Sequence, residues 1–297
     1  MSHFEKISKL HLELGYKAPE NPLFSILKCD ENSCPGIEID FTADFYIIGF
    51  RKLKSGSVSY GRTIYDHDSG SMSFVKPRQK MIFQNVQLQE KGFLILIHED
   101  FLAGTGLYNK IEKYSYFDYE VNEALYLTPL EEETIWNLFS HIEKEYFNNV
   151  DTYSKEIILA HIETMLKYAQ RFYTRQFINR KQINSITATK FNSALDTYFK
   201  NDMVKELGLP SVRYLSNQLN LSSRYLSDLL KQETGKTALE LIHLYLMSKA
   251  KNLLKEGQLT ISEISFSLGY ENPAYFSKLF KKEVGSSPNE YKNNILN

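Results

Sequence analysis

The chain has 297 residues, of which 42% are hydrophobic and 24% are charged, with 35 lysines and arginines against 36 aspartates and glutamates. This composition is that of a soluble globular protein, and the length exceeds one ordinary domain, so two domains are expected. No apolar leader opens the chain and no uninterrupted run of 18 apolar residues occurs, which argues against a membrane partner and predicts a cytoplasmic location.

The near-neutral total conceals a difference between the two parts of the chain. Residues 190–297 carry 14 lysines and arginines against 11 acidic residues, whereas the residues before them carry 21 against 25. Affinity for DNA comes from local cations, because each phosphate contact releases a counterion. The mild excess of positive charge therefore supports DNA binding by the C-terminal part.

Residues 37–98 are rich in short apolar runs separated by glycines, among them Phe45–Ile48, Met72–Val75 and Phe93–Ile97. Short strands at this spacing predict an antiparallel barrel or sandwich. The aromatic residues of this region either line a ligand cavity or, as we expect for most of them, fill the core. They include Phe45, Tyr46, Phe50, Tyr60, Phe74 and Phe83.

No pattern in the chain predicts catalysis or a metal site. Cys29 and Cys34 are compatible with a disulfide or half a metal site, but reduced thiols are the favoured reading. His67 with its two flanking aspartates is read as a solvated turn, and His98 lies too far along the chain to complete a ligand cluster. Nucleophile and phosphate-loop motifs are also missing. We therefore expect no catalytic residue, no metal, no cofactor and no enzymatic activity.

The pattern becomes helical at Thr128, where Thr-Pro-Leu-Glu is typical of a helix start. A second helix is predicted from about residue 153 to 177. Such helices can pack on the β-rich region, pair with a second subunit, or do both. The chain then turns polar and basic over residues 178–187, which we interpret as a linker.

Two segments of the C-terminal part repeat one pattern. In the second of them, Thr260 and Glu263 form a capping box, Gly269 can end a helix, and Asn272-Pro273 can start the next. In the first segment, Val212–Thr234, three apolar residues lie 49 positions before their counterparts, and six later residues match at a spacing of 50. One such pair of helices is either a helical hairpin or a helix-turn-helix motif, and the repetition favours a duplicated binding unit.

A longer helix is predicted between the two repeats, from a capping box at Thr237 and Glu240 to Gly257. This helix would hold the two repeated helix pairs, here called the two binding heads, at a fixed separation. Its predicted apolar stripe consists of Leu239, Ile242, Leu246, Ala250, Leu253 and Leu254.

The run from Ser211 to Tyr291 resembles the DNA-binding domain of the AraC/XylS family of bacterial transcription regulators. The matching pieces are LSSRYLSDLLKQETG, AKNLL, ISEIS and GYENPAYFSKLFKKEVGSSPNEYK. The resemblance is strong over about the final 100 residues. Two residues depart from the family pattern: Leu246 stands where an arginine is common, and Asp228 where a basic or polar reading residue is frequent.

The resemblance implies an α+β protein of two domains. A cupin-like β-barrel with its following helices, residues 1–177, would sense an effector and dimerise, and residues 178–187 would link it to an all-α domain, residues 188–297. That domain would place two recognition helices in successive major-groove segments of double-stranded DNA. A homodimer is expected, and RNA polymerase and a small-molecule effector are further partners that the family allows.

The outward faces of the two recognition helices supply the candidate DNA contacts. We expect base or near-base contacts from Arg224, Ser227 and Asp228 on the first helix. On the second helix the same role falls to Ala274, Ser277 and Lys278. Phosphate contacts are expected from Lys231, Lys281 and Lys282.

Two other classes of protein stay open at the level of sequence. One is a cupin-type enzyme with a DNA-binding tail, which a bound metal with turnover would favour. The other is an interaction module whose tail docks a protein such as RNA polymerase, which the absence of salt-sensitive DNA binding would favour.

Overall fold

The computed structural model describes residues 2–29, 37–51, 53–55, 70–88, 92–119, 123–149, 151–183 and 186–296. The chain forms two compact units, Met1–Asn179 and Arg180–Asn297. Of the residues 178–187 expected to link two domains, those up to Ile183 belong to one helix and those from Ile186 to the next. Residues 184–185, like Cys34 and His67, lie outside the described residues.

The first unit is mostly β-structure followed by helices. Its strands are β1 (Ser2–Phe4), β2 (Phe24–Cys29), β3 (Ile37–Ala43), β4 (Phe45–Arg51), β5 (Leu53–Ser55), β6 (Ser71–Val75), β7 (Met81–Leu88), β8 (Gly92–His98) and β9 (Leu125–Tyr126). Its helices are α1 (Ile7–Glu13), α2 (Glu99–Leu102), α3 (Tyr108–Ile111), α4 (Pro129–Tyr146) and α5 (Ser154–Ile183), with a 3₁₀ turn at Ser115–Asp118.

The strands form two sheets rather than the closed barrel implied by the family resemblance. Within the described ranges one sheet has the order β1-β3-β7-β5 and the other the order β2-β8-β4-β6-β9. The two sheets pack face to face through a core that includes Phe41, Phe45 and Leu96. Because no strand pairing joins one sheet to the other in the described residues, the arrangement is an open sandwich.

The five-stranded sheet is buried on both faces, which explains why β4 reads as a continuous apolar run. Successive side chains of a strand point to opposite faces. Phe45 therefore packs against the other sheet, whereas Phe50 meets Trp136 of α4 at a ring-centroid distance of 5.4 Å. The prediction that most aromatics here are core residues is confirmed for Phe45, Phe50 and Phe74, which are buried. Tyr46 is buried as well, although it also lines a cavity. The side chains of Tyr60 and Phe83 lie outside the described residues.

The second unit is helical throughout its described length. It contains α6 (Ile186–Lys200), α7 (Met203–Leu207), α8 (Val212–Gln218), α9 (Ser223–Thr234), α10 (Ala238–Glu256), α11 (Ile261–Ser267), α12 (Pro273–Val284) and α13 (Pro288–Leu296). The capping boxes predicted at Thr237 and Thr260 are both present, and Gly257 ends α10 in the left-handed conformation.

One apolar core joins the helices of the second unit, and α10 lies at its centre. The stripe residues Ile242, Leu246, Ala250 and Leu254 are buried, and α10 packs against α9, α11, α12 and α13. The prediction was wrong for Leu239, which is 52% exposed. Leu239 lies in the first turn of α10, where the helix extends past its neighbours.

Gly269 and Gly257 both have left-handed backbones but differ in the space around them. A Cβ at Gly269 would lie 2.7 Å from the carbonyl carbon of Gly208 and 2.8 Å from the nitrogen of Leu209. A Cβ at Gly257 would meet nothing within 4 Å. Gly269 therefore serves close packing as well as the turn.

We expect Gly269→Ala to lower the free energy of unfolding more than Gly257→Ala does. Both substitutions force a side chain into left-handed backbone, which costs about 1–2 kcal/mol. Only at Gly269 does the methyl group also overlap backbone, which adds about 1–3 kcal/mol. Urea titration of the full chain followed by circular dichroism measures both losses. Equal losses would contradict the close packing of Gly269.

Candidate nucleic-acid interface

The second unit contains two helix-turn-helix motifs, α8–α9 and α11–α12, with equivalent turns. Each turn has one residue with positive φ, Asn220 at 53° and Gly269 at 92°. In each, the next N–H group donates to a serine carbonyl of the first helix at 3.0 Å, Leu221 to Ser216 and Tyr270 to Ser265. Asparagine and glycine tolerate this backbone best. The repeat read from the sequence is thus a repeat in backbone geometry.

The second helix of each motif begins at a capping residue, Ser222 for α9 and Asn272 for α12. Each side-chain oxygen accepts a backbone N–H from the first turn, which fixes where the helix starts. The caps lie 50 residues apart and the left-handed residues 49 apart. The additional residue of the second motif therefore falls in its turn, before Asn272.

Both second helices bury one face and expose the other. Leu226, Leu229 and Leu230 of α9 are buried, and so are the equivalent Phe276, Leu279 and Phe280 of α12. Apolar residues at this spacing line one side of a helix. The opposite sides are therefore free to contact a partner, and these sides carry the residues that the sequence predicts to contact DNA.

On α9 the predicted contact residues form an outward patch in which opposite charges are paired. Arg224 and Lys231 are exposed, and Ser227 and Asp228 are half-buried. Nε of Arg224 lies 3.7 Å from Oδ2 of Asp228, one helical turn further along. An exposed pair of this kind contributes little stability. It does, however, hold the arginine side chain along the helix rather than away from it.

On α12 the predicted contact residues form a patch without an acidic member. Ala274, Lys278, Lys281 and Lys282 are exposed. Ser277 is half-buried, and its hydroxyl donates to the carbonyl of Pro273 at 2.9 Å. The hydroxyl of Ser277 is thus already engaged with its own helix.

The two outward faces differ most at equivalent positions. Arg224 corresponds to Ala274, and Asp228 corresponds to Lys278, each at the spacing of 50. One motif therefore presents a paired arginine and carboxylate where the other presents a methyl group and a lysine. A base edge that suits one patch will not suit the other, because these groups bind different donors and acceptors.

Tyr275 is an exposed residue of α12 that sequence reasoning did not assign to the outward face. Its side chain is 55% exposed, whereas its counterpart Tyr225 is fully buried. The ring of Tyr275 lies 6.2 Å from that of Tyr270, and burial, with a smaller contribution from Tyr275, raises the pKa of Tyr270. The spacing of Tyr275 to Lys278 and Lys282, three and seven residues, was the available signal for one shared face.

Neither a metal site nor a membrane-spanning helix is found in the described ranges. No group of three or more histidines, cysteines, aspartates and glutamates is placed there to hold a metal ion. Within the same ranges, no helix combines the length and apolar character that crossing a membrane requires. His98 accepts a hydrogen bond from the N–H of Asp100 and thereby caps α2.

Comparisons with known proteins match part of this chain. Residues 215–294 match a family model described as a helix-turn-helix domain. The uncharacterized HTH-type transcriptional regulator YfiF of Bacillus subtilis is 31% identical over 135 residues, which are 46% of this chain and 40% of that protein. The Msm operon regulatory protein of Streptococcus mutans is 29% identical over 143 residues, 48% of this chain and 44% of that protein.

Among solved structures, the chain is similar to the C-terminal domain of AraT, a response regulator from Geobacillus stearothermophilus. The identity is 32% and the TM-score 0.32, over 37% of this chain and 86% of that one. The chain spans less than half the length of the two curated relatives.

Phe276 and Tyr275 are neighbours on α12, but Phe276 is buried and Tyr275 is exposed. Substituting each in turn tests which face of α12 packs against the core. Phe276→Ala should lower the free energy of unfolding by about 3–5 kcal/mol, because it empties a fully buried site. Tyr275→Ala should change it by only about 0.5 kcal/mol, as is usual for an exposed residue. Urea titrations of the full-length variants measure both. Similar losses from the two would mean that α12 packs with a different face.

Proposed function

We propose that the second unit is a DNA-binding domain of the AraC/XylS family of transcription regulators, and that this chain regulates transcription by binding a specific DNA sequence. The match of residues 215–294 to a helix-turn-helix family model supports the proposal. The observation that carries the proposal is the pair of equivalent motifs built on one core, each with an exposed polar face on its second helix. A helix of this kind fits the major groove. The protein would act on double-stranded DNA in the bacterial cytoplasm.

Both recognition helices would engage one face of the duplex. Because α10 packs against elements of both motifs, α9 and α12 are held at one separation. We propose that they enter successive major-groove segments about one helical turn, or ~34 Å, apart. A single chain would then read two short elements of one site.

The outward side chains suggest which contacts specify the sequence. Arg224 suits a guanine edge, and Asp228, which lies beside it, would orient its guanidinium or accept from cytosine N4. On the other helix Lys278 suits a guanine edge, and the methyl group of Ala274 suits a thymine methyl. Lys231, Lys281 and Lys282 lie nearer the helix ends and suit phosphates. Ser227 and Ser277 would contribute near the bases.

The first unit would control this binding. We propose that residues 1–177 form a sensor of the cupin-like kind, built here as an open sandwich, and that part of its helical region pairs two copies of the chain. A small molecule bound by the sensor would be the effector, and RNA polymerase would be a further partner at the promoter. The family resemblance supports these assignments.

Substitution of two lysines of α12 distinguishes sequence-specific base contacts from non-specific phosphate contacts. Lys278→Ala should weaken binding to the preferred site by about 1–3 kcal/mol and relax preference at one or two base pairs, because its side chain reaches a base edge. Lys282→Ala should weaken all sequences alike and reduce the salt slope by about one unit, because it removes one phosphate contact. The measurement is a titration of full-length variants against matched and single-mismatch duplexes at two salt concentrations.

Both lysines are exposed, so neither substitution should unfold the protein, and circular dichroism checks this. If Lys278→Ala proves as indifferent to sequence as Lys282→Ala, the assignment of the reading face is wrong. Binding by the unsubstituted chain that does not change with salt would contradict the proposed DNA contacts altogether.

The full chain should be a dimer through residues 1–177, whereas a fragment starting at Ile186 should be a monomer. The physical reason is that the proposed pairing surface belongs to the helices of the first unit. Light scattering at micromolar concentration distinguishes the two states. A monomeric full chain would remove the proposal of dimerisation without affecting that of DNA binding.

A further inference from the structure

The first unit has a cavity on the helix-facing side of its five-stranded sheet, away from the packed interior of the sandwich. Its volume is about 290 Å³. The buried side chains of Tyr46, Ile111 and Phe117 form its floor. The rings of Tyr46 and Phe117 meet edge to face at a centroid distance of 5.3 Å. The floor is therefore aromatic and apolar, with one phenol hydroxyl.

Three ion pairs at the rim of the cavity engage its two cations, Arg78 and Lys76. The guanidinium of Arg78 donates to Oε2 of Glu99 at 2.6 Å, and its Nε lies 3.3 Å from Oδ1 of Asp44. Lys76 pairs with Asp118 across the rim. Because both cations already have carboxylate partners, neither is available to a ligand anion without breaking a pair.

The turn that carries Lys76 and Arg78 is held in a fixed shape. Arg78 has a φ of 65°, which is unusual for a residue with a side chain. Its N–H group donates to the carbonyl of Ala43 at 2.7 Å, which secures this conformation. Such backbone is found where surrounding structure enforces it, often beside ligand sites. The rim is therefore pre-formed.

Glu112 gives the cavity an excess of negative charge. Glu112 lines the cavity, is exposed to solvent, and has no ion pair or hydrogen bond among the residues that the structure describes. The charged lining residues are three carboxylates and two cations. In keeping with this field, burial first and then Glu112 and Glu99 raise the pKa of Tyr46 to about 12. The Tyr46 hydroxyl therefore stays protonated and neutral near pH 7.

From this geometry we infer that the cavity binds a small organic ammonium ion, with Glu112 as its counter-ion and the aromatic floor against its apolar body. Ammonium groups bind favourably to carboxylates and to the faces of aromatic rings. An anion would be repelled by the negative charge of Glu112, and a neutral molecule would not form the charged hydrogen bond that an ammonium ion forms with it. If the chain is the effector-controlled regulator proposed above, this amine is the class of its effector.

Three probes with one body and different head groups test the inference. They are 2-phenylethylammonium, 2-phenylethanol and 3-phenylpropanoate, each titrated into the full chain by calorimetry without DNA. We expect the ammonium ion to bind about tenfold more tightly than the alcohol, and the carboxylate not to bind, since only the first forms the charged hydrogen bond. Glu112→Gln should lower the affinity for the ammonium ion about tenfold.

Glu133→Gln is the matched control, because Glu133 is exposed on α4 and does not line the cavity; it should leave the affinity unchanged. The inference is overturned if the ammonium ion shows no saturable binding, if the alcohol or the carboxylate binds as tightly, or if Glu112→Gln has no effect. Because the titration contains no DNA, its failure leaves the proposal of DNA binding intact. Conversely, if the chain proves not to bind DNA, the inference that the cavity binds an ammonium ion is unaffected.

Discussion

The arrangement of both recognition helices depends on the burial of one face of α10. Leu246 and Ala250 are buried in the same apolar core as Leu226 of the first motif and Phe276 of the second. Each of these side chains is almost fully removed from water, and large residues of this kind contribute about 1.5–3 kcal/mol each. The two motifs cannot shift independently while this core is intact. A fixed separation of the two heads is therefore a consequence of packing.

The charges at the surface of the second unit explain how one scaffold can carry two different heads. Three buried apolar positions are equivalent in α9 and α12, although Tyr225 is buried and its counterpart Tyr275 is exposed. At the outward positions the two helices differ: Asp228 of α9 is equivalent to Lys278 of α12, and Arg224 is equivalent to Ala274. None of these four side chains belongs to the buried core. Their chemistry is thus free to differ, and we propose that it encodes two unlike base sequences.

Local signals in the sequence predicted the second unit well, whereas contacts between distant residues could not be read from it. The capping boxes at Thr237 and Thr260 and the turn at Gly269 depend on residues only a few positions apart. Exposure of Leu239 and Tyr275 depends instead on which neighbours reach them. In the first unit the sequence left barrel and sandwich open, because strand order arises from pairings between distant residues, such as that of Phe24 in β2 with Ile97 in β8. The cavity beside Glu112 likewise joins segments far apart in the chain.

The most direct measurement of the central claim is selection of bound DNA by the full chain from a random pool. If α10 holds two heads at one separation, the selected sequences will share two unlike elements centred about 10–10.5 base pairs apart, on one face of the duplex. Enrichment of a single element, of two elements at variable spacing, or of no sequence at all would contradict the account.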